Sequence, residues 1–196
     1  VIGRTARHMQ AGDDVPGRIA HIPGGVALNA AAELARRGMR PAVLGAVGDE
    51  PDGSALVTEI RALGILPDWL VRDHGMPTDI YMAIEDAGGL IAAIADAHSL
   101  EQAGDKILRP LITGPVGFVE APFAGPIALD GNLTESLLDQ IVHHPAFAQA
   151  DLRIANLECV IADNGRAANL YGYSIGIPLM LIGAAGVGVG AWLYTK

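Results

Sequence analysis

Residues 24–47 read GGVALNAAAELARRGMRPAVLGAV, and this stretch decides the fold. Two glycines open an alanine-rich run in which Ala27, Ala31, Leu34 and Ala35 share one helical face, which predicts a helix over 26–37. Arg36 and Arg37 fall in its last turn, where the helix dipole favours cations, and Gly38 supplies the stop. Residues 41–47 (PAVLGAV) then form a short strand of the buried type. A polar turn over 48–53 leads into a second helix over 54–63, again closed by a glycine, Gly64. Helix, glycine and strand in repeated succession are the signature of βα units and a largely parallel sheet.

Further along, the pattern changes. Residues 79–85 and 90–96 are apolar runs flanking Asp86-Ala87-Gly88-Gly89, a hairpin turn, so these two strands are antiparallel. Such a pair in an α/β protein often lies outside the main sheet, as a flap. Residues 114–126 are rich in glycine and proline and read as irregular. A strand over 126–129 follows and ends in Asp130-Gly131-Asn132; Thr134 is placed to cap a helix over 135–143, and 150–155 reads as another strand. Open α/β sheets bind ligands beyond the carboxyl ends of their strands, which favours Asp130 and Asn132 as site residues.

Composition sets the outer limits. The chain has 196 residues, enough for one domain or for one domain and a membrane tail. Its 51% hydrophobic content excludes a disordered chain, and its 25 glycines without a three-residue period exclude a collagen-like one. A net charge of −9 argues against a sequence-independent grip on nucleic-acid phosphates. The single cysteine, Cys159, excludes an internal disulfide framework, so a reducing cytoplasmic setting is expected. No apolar run of signal-peptide length stands at the start. At the other end, residues 171–194 read YGYSIGIPLMLIGAAGVGVGAWLY, with no charge between Arg166 and Lys196. Two readings fit. The stretch is long enough for a bilayer span with aromatic residues at both ends, and Gly186 and Gly190 suit a close helix crossing. Its six glycines and Pro178 equally suit a buried strand–loop–helix segment of an α/β body.

Five pieces of the chain, in order, resemble the PfkB (ribokinase-like) family of sugar and nucleoside kinases, and within it the pseudouridine-kinase type. They are VIG (1–3), PGGVALNAAAELARRG (23–38), VLGAVGDEPDGSAL (43–56), PTDIYMAIEDAGGLIAAIAD (77–96) and LDGNL (129–133), and the likeness covers roughly residues 1–156. The resemblance implies an α/β ribokinase-like three-layer sandwich, in part, with a small antiparallel β lid. It implies ATP-dependent phosphorylation of a sugar hydroxyl, with Mg²⁺, on a small polyhydroxylated substrate. Gly24, Gly25 and Asn29 become substrate-binding candidates, with Asp130 and Asn132 near the substrate and the phosphate path. The chemistry suits these residue types: glycines let the backbone approach a sugar closely, and an asparagine both donates to and accepts from vicinal hydroxyls. The lid strands would cover the substrate, excluding water, and contribute homodimer contacts.

The likeness also has gaps. The family places its base in a late Gly-Ala-Gly-Asp motif. Here Gln102-Ala103-Gly104-Asp105 comes too early in the order, and no aspartate follows Asp163. Where the family's first strand carries an aspartate, this chain has Arg4-Thr5-Ala6-Arg7-His8, and Asn156-Leu157-Glu158 sets its glutamate one place early for a metal motif. No catalytic or metal residue is assigned. His143-His144 reads as a solvated helix end, Cys159 as a core thiol, and Asp49, Glu50 and Asp52 as a polar turn. The expected organisation is a partial PfkB-like substrate-binding domain over 1–158, a linker over 159–169, and a tail over 170–195 that is a candidate transmembrane helix. The expected function is a carbohydrate or nucleoside kinase-like protein, catalytically incomplete in this chain. The alternatives are a non-catalytic accessory subunit anchored to a membrane or membrane complex through 170–195, or a truncated or frame-shifted product.

Overall fold

The structure, a computed structural model, describes residues 1–130, 133–155, 180–182 and 186–187, the last nine of these segments' residues from 152 onward by backbone alone. The chain begins with three short strands, β1 (Ile2–Arg4), β2 (Arg18–Ala20) and β3 (Pro23–Gly24), followed by helix α1 (Val26–Arg36). Strands β4 (Ala42–Leu44) and β5 (Ala46–Gly48) lead to α2 (Pro51–Ala62) and β6 (Val71–Asp73). The hairpin β7 (Ile80–Asp86) and β8 (Gly89–Asp96) precedes two short helices, α3 (Ser99–Ala103) and α4 (Arg109–Ile112). Then come β9 (Pro126–Asp130), α5 (Glu135–His143), β10 (Asp151–Ala155), β11 (Met180–Ile182) and β12 (Gly186–Val187).

Both expected glycine stops are built the same way. After α1 the Gly38 amide donates to the Ala35 carbonyl and the Met39 amide to the Leu34 carbonyl; after α2 the Gly64 amide donates to Arg61 and the Ile65 amide to Ile60. This paired closure needs a left-handed residue, and Gly38 and Gly64 have φ of 83° and 80°. The expected 41–47 strand is present but breaks at Gly45. Its first half pairs with β11 and its second half pairs with β6.

The parallel sheet has the order β10-β9-β11-β4, with β5 and β6 as a parallel pair continuing from β4. Strand residues alternate between two cores, as the period of two requires. Ala42, Leu44, Ile127 and Leu129 pack with Leu108, Leu111, Leu137 and Ile141 on the side of α3, α4 and α5. Val43, Val47 and Ala128 pack with Leu28, Ala31, Leu34, Leu56 and Ile60 on the side of α1 and α2. Helices on both faces of a parallel sheet make three layers, as expected. Leu28 joins Ala27, Ala31 and Leu34 on the buried face of α1, and Ala35 packs half-buried against the same core. The larger Leu28 side chain removes more apolar surface from water.

The hairpin β7–β8 stands apart from this sheet, as expected of a flap. It belongs to a second, mixed sheet of order β2-β1-β7-β12-β3 with β8 on the other edge of β7. The VIG strand lies in this mixed sheet, parallel to β7, with Ile2 opposite Ala83.

The tail corrects an expectation. Among the described residues no helix is long and apolar enough to cross a membrane. Within 170–195, Met180–Ile182 and Gly186–Val187 are strands, each paired on two sides. Where it is described, this segment is therefore strand and gives a transmembrane helix over 170–195 no support. Its glycines disfavour helix, and β4 and β9 offer it backbone partners on both flanks. The expected linker over 159–169 lies outside the described residues.

Candidate functional site

Topology gathers most of the expected site residues at one pole. Helix α1 packs on β4, β9 and β11, and it leads directly into β4. A helix that precedes a parallel strand in this way starts at the carboxyl ends of the strands. The start of α1, with Gly25 and Asn29, therefore shares that pole with Asp130, the last residue of β9. Gly25 caps α1 with φ 104° and ψ 145°, a backbone conformation open in practice to glycine alone. Gly24 before it is buried and belongs to β3, and Asn29 is half-buried one turn into the helix, its amide donating to the Gly25 carbonyl at 2.9 Å. Asp130 is 3% exposed, and its carbonyl accepts from the Leu133 amide at 3.3 Å. Asn132 lies outside the described residues.

Two further groups at this pole were not singled out as functional from sequence. The first joins the turn after β5 to the segment before β7. The Thr78 hydroxyl accepts from the Gly48 amide at 3.0 Å, and the Thr78 amide donates to Glu50 Oε1 at 2.8 Å. Packing here is tight: a Cβ on Gly48 would overlap the Glu50 carboxylate and come within 2.6 Å of the Met76 carbonyl oxygen. Burial acts to raise the Glu50 pKa. The hydrogen bonds from the Thr78 side chain and backbone and from its own backbone, with the charge of Arg72, outweigh it and hold the carboxyl below its ordinary value. The neighbouring Asp49 contacts His74.

The second group ties the lid hairpin to the body at both of its roots. Asp79, 9% exposed, accepts from the His98 amide at 3.1 Å and the Ser99 amide at 2.9 Å through one oxygen. Its other oxygen accepts from the Ser99 hydroxyl at 2.7 Å. A carboxylate on the first turn of α3 satisfies amides that the helix leaves open. Nothing local in the sequence reveals this pair, because the two residues stand on opposite sides of the hairpin. At the far tip, the amides of Met9 and Gly88 donate to Asp86 and, against its desolvation, hold its carboxyl low.

Other candidates resolve as structure. His143 Nδ1 lies 3.0 Å from the Asp139 carboxylate, while His144 Nδ1 accepts from the Ala146 amide at 3.2 Å, so the two rings serve separate contacts at the end of α5. In the 102–105 segment Ala103 is buried in the core and Gly104 turns the chain with φ 53°. Among the described residues no group of three or more His, Cys, Asp or Glu is placed to hold a metal ion. Cys159, Asn156 and Glu158 lie outside the described residues. The described cavities lie elsewhere. One of about 380 Å³ is lined by Trp69, Lys106, Arg109 and Pro110 at the amino end of β6, and one of about 200 Å³ sits on the mixed sheet beside Gly3, Ile19 and Ile84. Neither is lined by Gly24, Gly25, Asn29 or Asp130.

Comparison with known proteins agrees with this architecture. The sugar kinase YeiI of Escherichia coli (strain K12), itself uncharacterised, is 34% identical over 130 residues, covering 64% of this chain and 33% of that protein. The pseudouridine kinase of the same organism is 29% identical over 155 residues, covering 74% of this chain and 45% of that protein. The chain thus spans between a third and a half of the length of these relatives. Ribokinase from Giardia lamblia superposes with a TM-score of 0.58 at 19% identity, covering 78% of this chain and 46% of that one, a likeness of fold. The family description "pfkB family carbohydrate kinase" matches residues 1–109. The chain belongs to the pfkB family of carbohydrate kinases.

Proposed function

We propose that this chain carries the substrate-binding half of a carbohydrate or nucleoside kinase, taking a small polyhydroxylated substrate such as a nucleoside at the pole formed by the start of α1 and the end of β9. The observation that carries this reading is the Gly25 backbone, held at φ 104° and ψ 145° where the helix begins. A conformation restricted to glycine leaves backbone bare at that point, and a sugar ring can approach it closely. Asn29 on the next turn offers both donor and acceptor to vicinal hydroxyls, and Asp130 and Asn132 offer more at the end of β9. Asp79 and Ser99 join the two roots of the lid, and a hairpin anchored there would exclude water from the substrate. A pseudouridine kinase among the relatives supports the nucleoside class.

The family transfers phosphate from ATP, assisted by Mg²⁺, to a sugar hydroxyl. The described residues contain no cluster of three or more His, Cys, Asp or Glu suited to a metal ion. The 196 residues contain no Gly-Ala-Gly-Asp motif to supply the base and anion hole, so binding is expected without ordinary turnover. The lid's outer face supports a homodimer: Ile19, Met82, Ile84 and Ile94 are 76%, 44%, 38% and 68% exposed.

Calorimetric titration with pseudouridine, uridine and ribose tests the proposal. Saturable binding of one of them is expected, weakened about tenfold in Asn29→Ala through the loss of hydrogen bonds to hydroxyls. Absence of binding across the panel overturns the substrate reading. Ordinary turnover in an isotope-transfer assay from ATP overturns the incompleteness.

A further inference from the structure

Strands β4 and β9 are buried along their whole lengths and do not pair with each other; β11 lies between them. Met180, Leu181 and Ile182 stand opposite Ala42, Val43 and Leu44 on one side and Ile127, Ala128 and Leu129 on the other. Buried backbone groups need partners, so the two halves of the parallel sheet are joined through this strand. Only residues 183–185 separate it from β12, which lies in the other sheet. There Gly186 pairs with Gly24, while Val187 pairs with Pro23 and with Ile80. Gly24 adjoins Gly25, and Ile80 adjoins Asp79 at the root of the lid. Between them, β11 and β12 therefore touch the centre of the parallel sheet, the Gly24 turn and the root of the lid.

We infer that β11 and β12 form a positioning strap: β11 anchors in the parallel sheet, and β12 holds the Gly24 turn and the lid root at Ile80 in fixed relation. The inference rests on the proposed role of Gly24 and Gly25 for its functional meaning. A glycine pair has wide backbone freedom, and a turn that must meet a sugar in one conformation needs such an external hold. The role assigned to Gly186 and Val187 is positioning through main-chain pairing.

Hydrogen exchange on the full chain, read by mass spectrometry, tests this. Val187→Pro removes an amide from the ladder, and at least tenfold faster exchange is expected in peptides covering residues 23–25 and 80–82. Helix α2 should exchange as before, which serves as the control for the fold. Val187→Ile, which keeps the backbone ladder, should match the parent chain. Unchanged exchange at both peptides in Val187→Pro overturns the strap. Should α2 loosen as well, a cross-link decides: Val43→Cys with Leu181→Cys, in a Cys159→Ser background, places thiols on register partners. Neighbouring strands lie about 4.8 Å apart, within the roughly 4.4–6.8 Å that a disulfide spans. A disulfide within one chain is expected; a disulfide between two chains, or none, overturns the inference. If no sugar or nucleoside binds the parent chain, the proposed function fails while exchange and cross-link still judge the strap. If substrate binds the parent and Val187→Pro with equal affinity, the positioning role fails alone.

Discussion

Gly25 and Glu50 show how single residues shape this pole of the sheet. At Gly25 a side chain would strain a backbone at φ 104°, so its replacement acts on the shape of the turn. Glu50 acts through charge. Its hydrogen bond from the Thr78 amide, at 2.8 Å, exists in the folded chain and favours the ionised carboxylate. The carboxyl is therefore held lower folded than unfolded, and it contributes stability that is present above the ordinary value of 4.5 and lost as pH falls through the depressed one. Glu50→Gln should accordingly lie furthest below the parent chain in unfolding free energy near neutral pH and approach it in acid. Urea unfolding followed from pH 7 down to about pH 3 checks this, and a gap that stays constant across the range counts against it. The acidity of Glu50 was not legible in the turn 48–53, because Thr78 reaches it from outside the segment.

At the scale of elements, local chemistry was largely readable. Thr134 was placed as an N-cap, and its hydroxyl accepts from the Leu137 amide at 3.3 Å. Thr134→Ala should cost about 1 kcal/mol, measured as a lower urea midpoint with an unchanged slope. The glycine closures of α1 and α2 were equally visible, since a left-handed stop is a property of a few adjacent residues. The break of the 41–47 strand at Gly45 was not visible. It arises because β4 and β5 face different partners, and those partners lie far along the chain.

At the scale of the whole molecule, the described residues of the lid and β2 present a row of exposed apolar side chains. Met82 stands opposite Ile94 and Ile84 opposite Ala92 across the hairpin, and Ile19 opposite Gly3 extends the row through β1. A second copy of the chain covering this face would remove that surface from water. Sedimentation equilibrium should show a dimer, and Ile94→Glu should shift it to monomer while leaving thermal unfolding of the α2-side core intact; a parent chain that is monomeric at all concentrations rules the dimer out. Taken by itself, the sequence determined the βα succession, the antiparallel hairpin and the glycine stops of α1 and α2, because each depends on spacing or on neighbours within a few positions; the start of α2 at Pro51, three residues before the expected 54, was not among them. Tertiary structure alone decided where the last strands go. An apolar, glycine-rich stretch satisfies both a bilayer and a buried sheet equally well by composition. The backbone groups of β4 and β9, held by the rest of the fold on either side of a one-strand gap, gave Met180–Ile182 partners that no local pattern could announce.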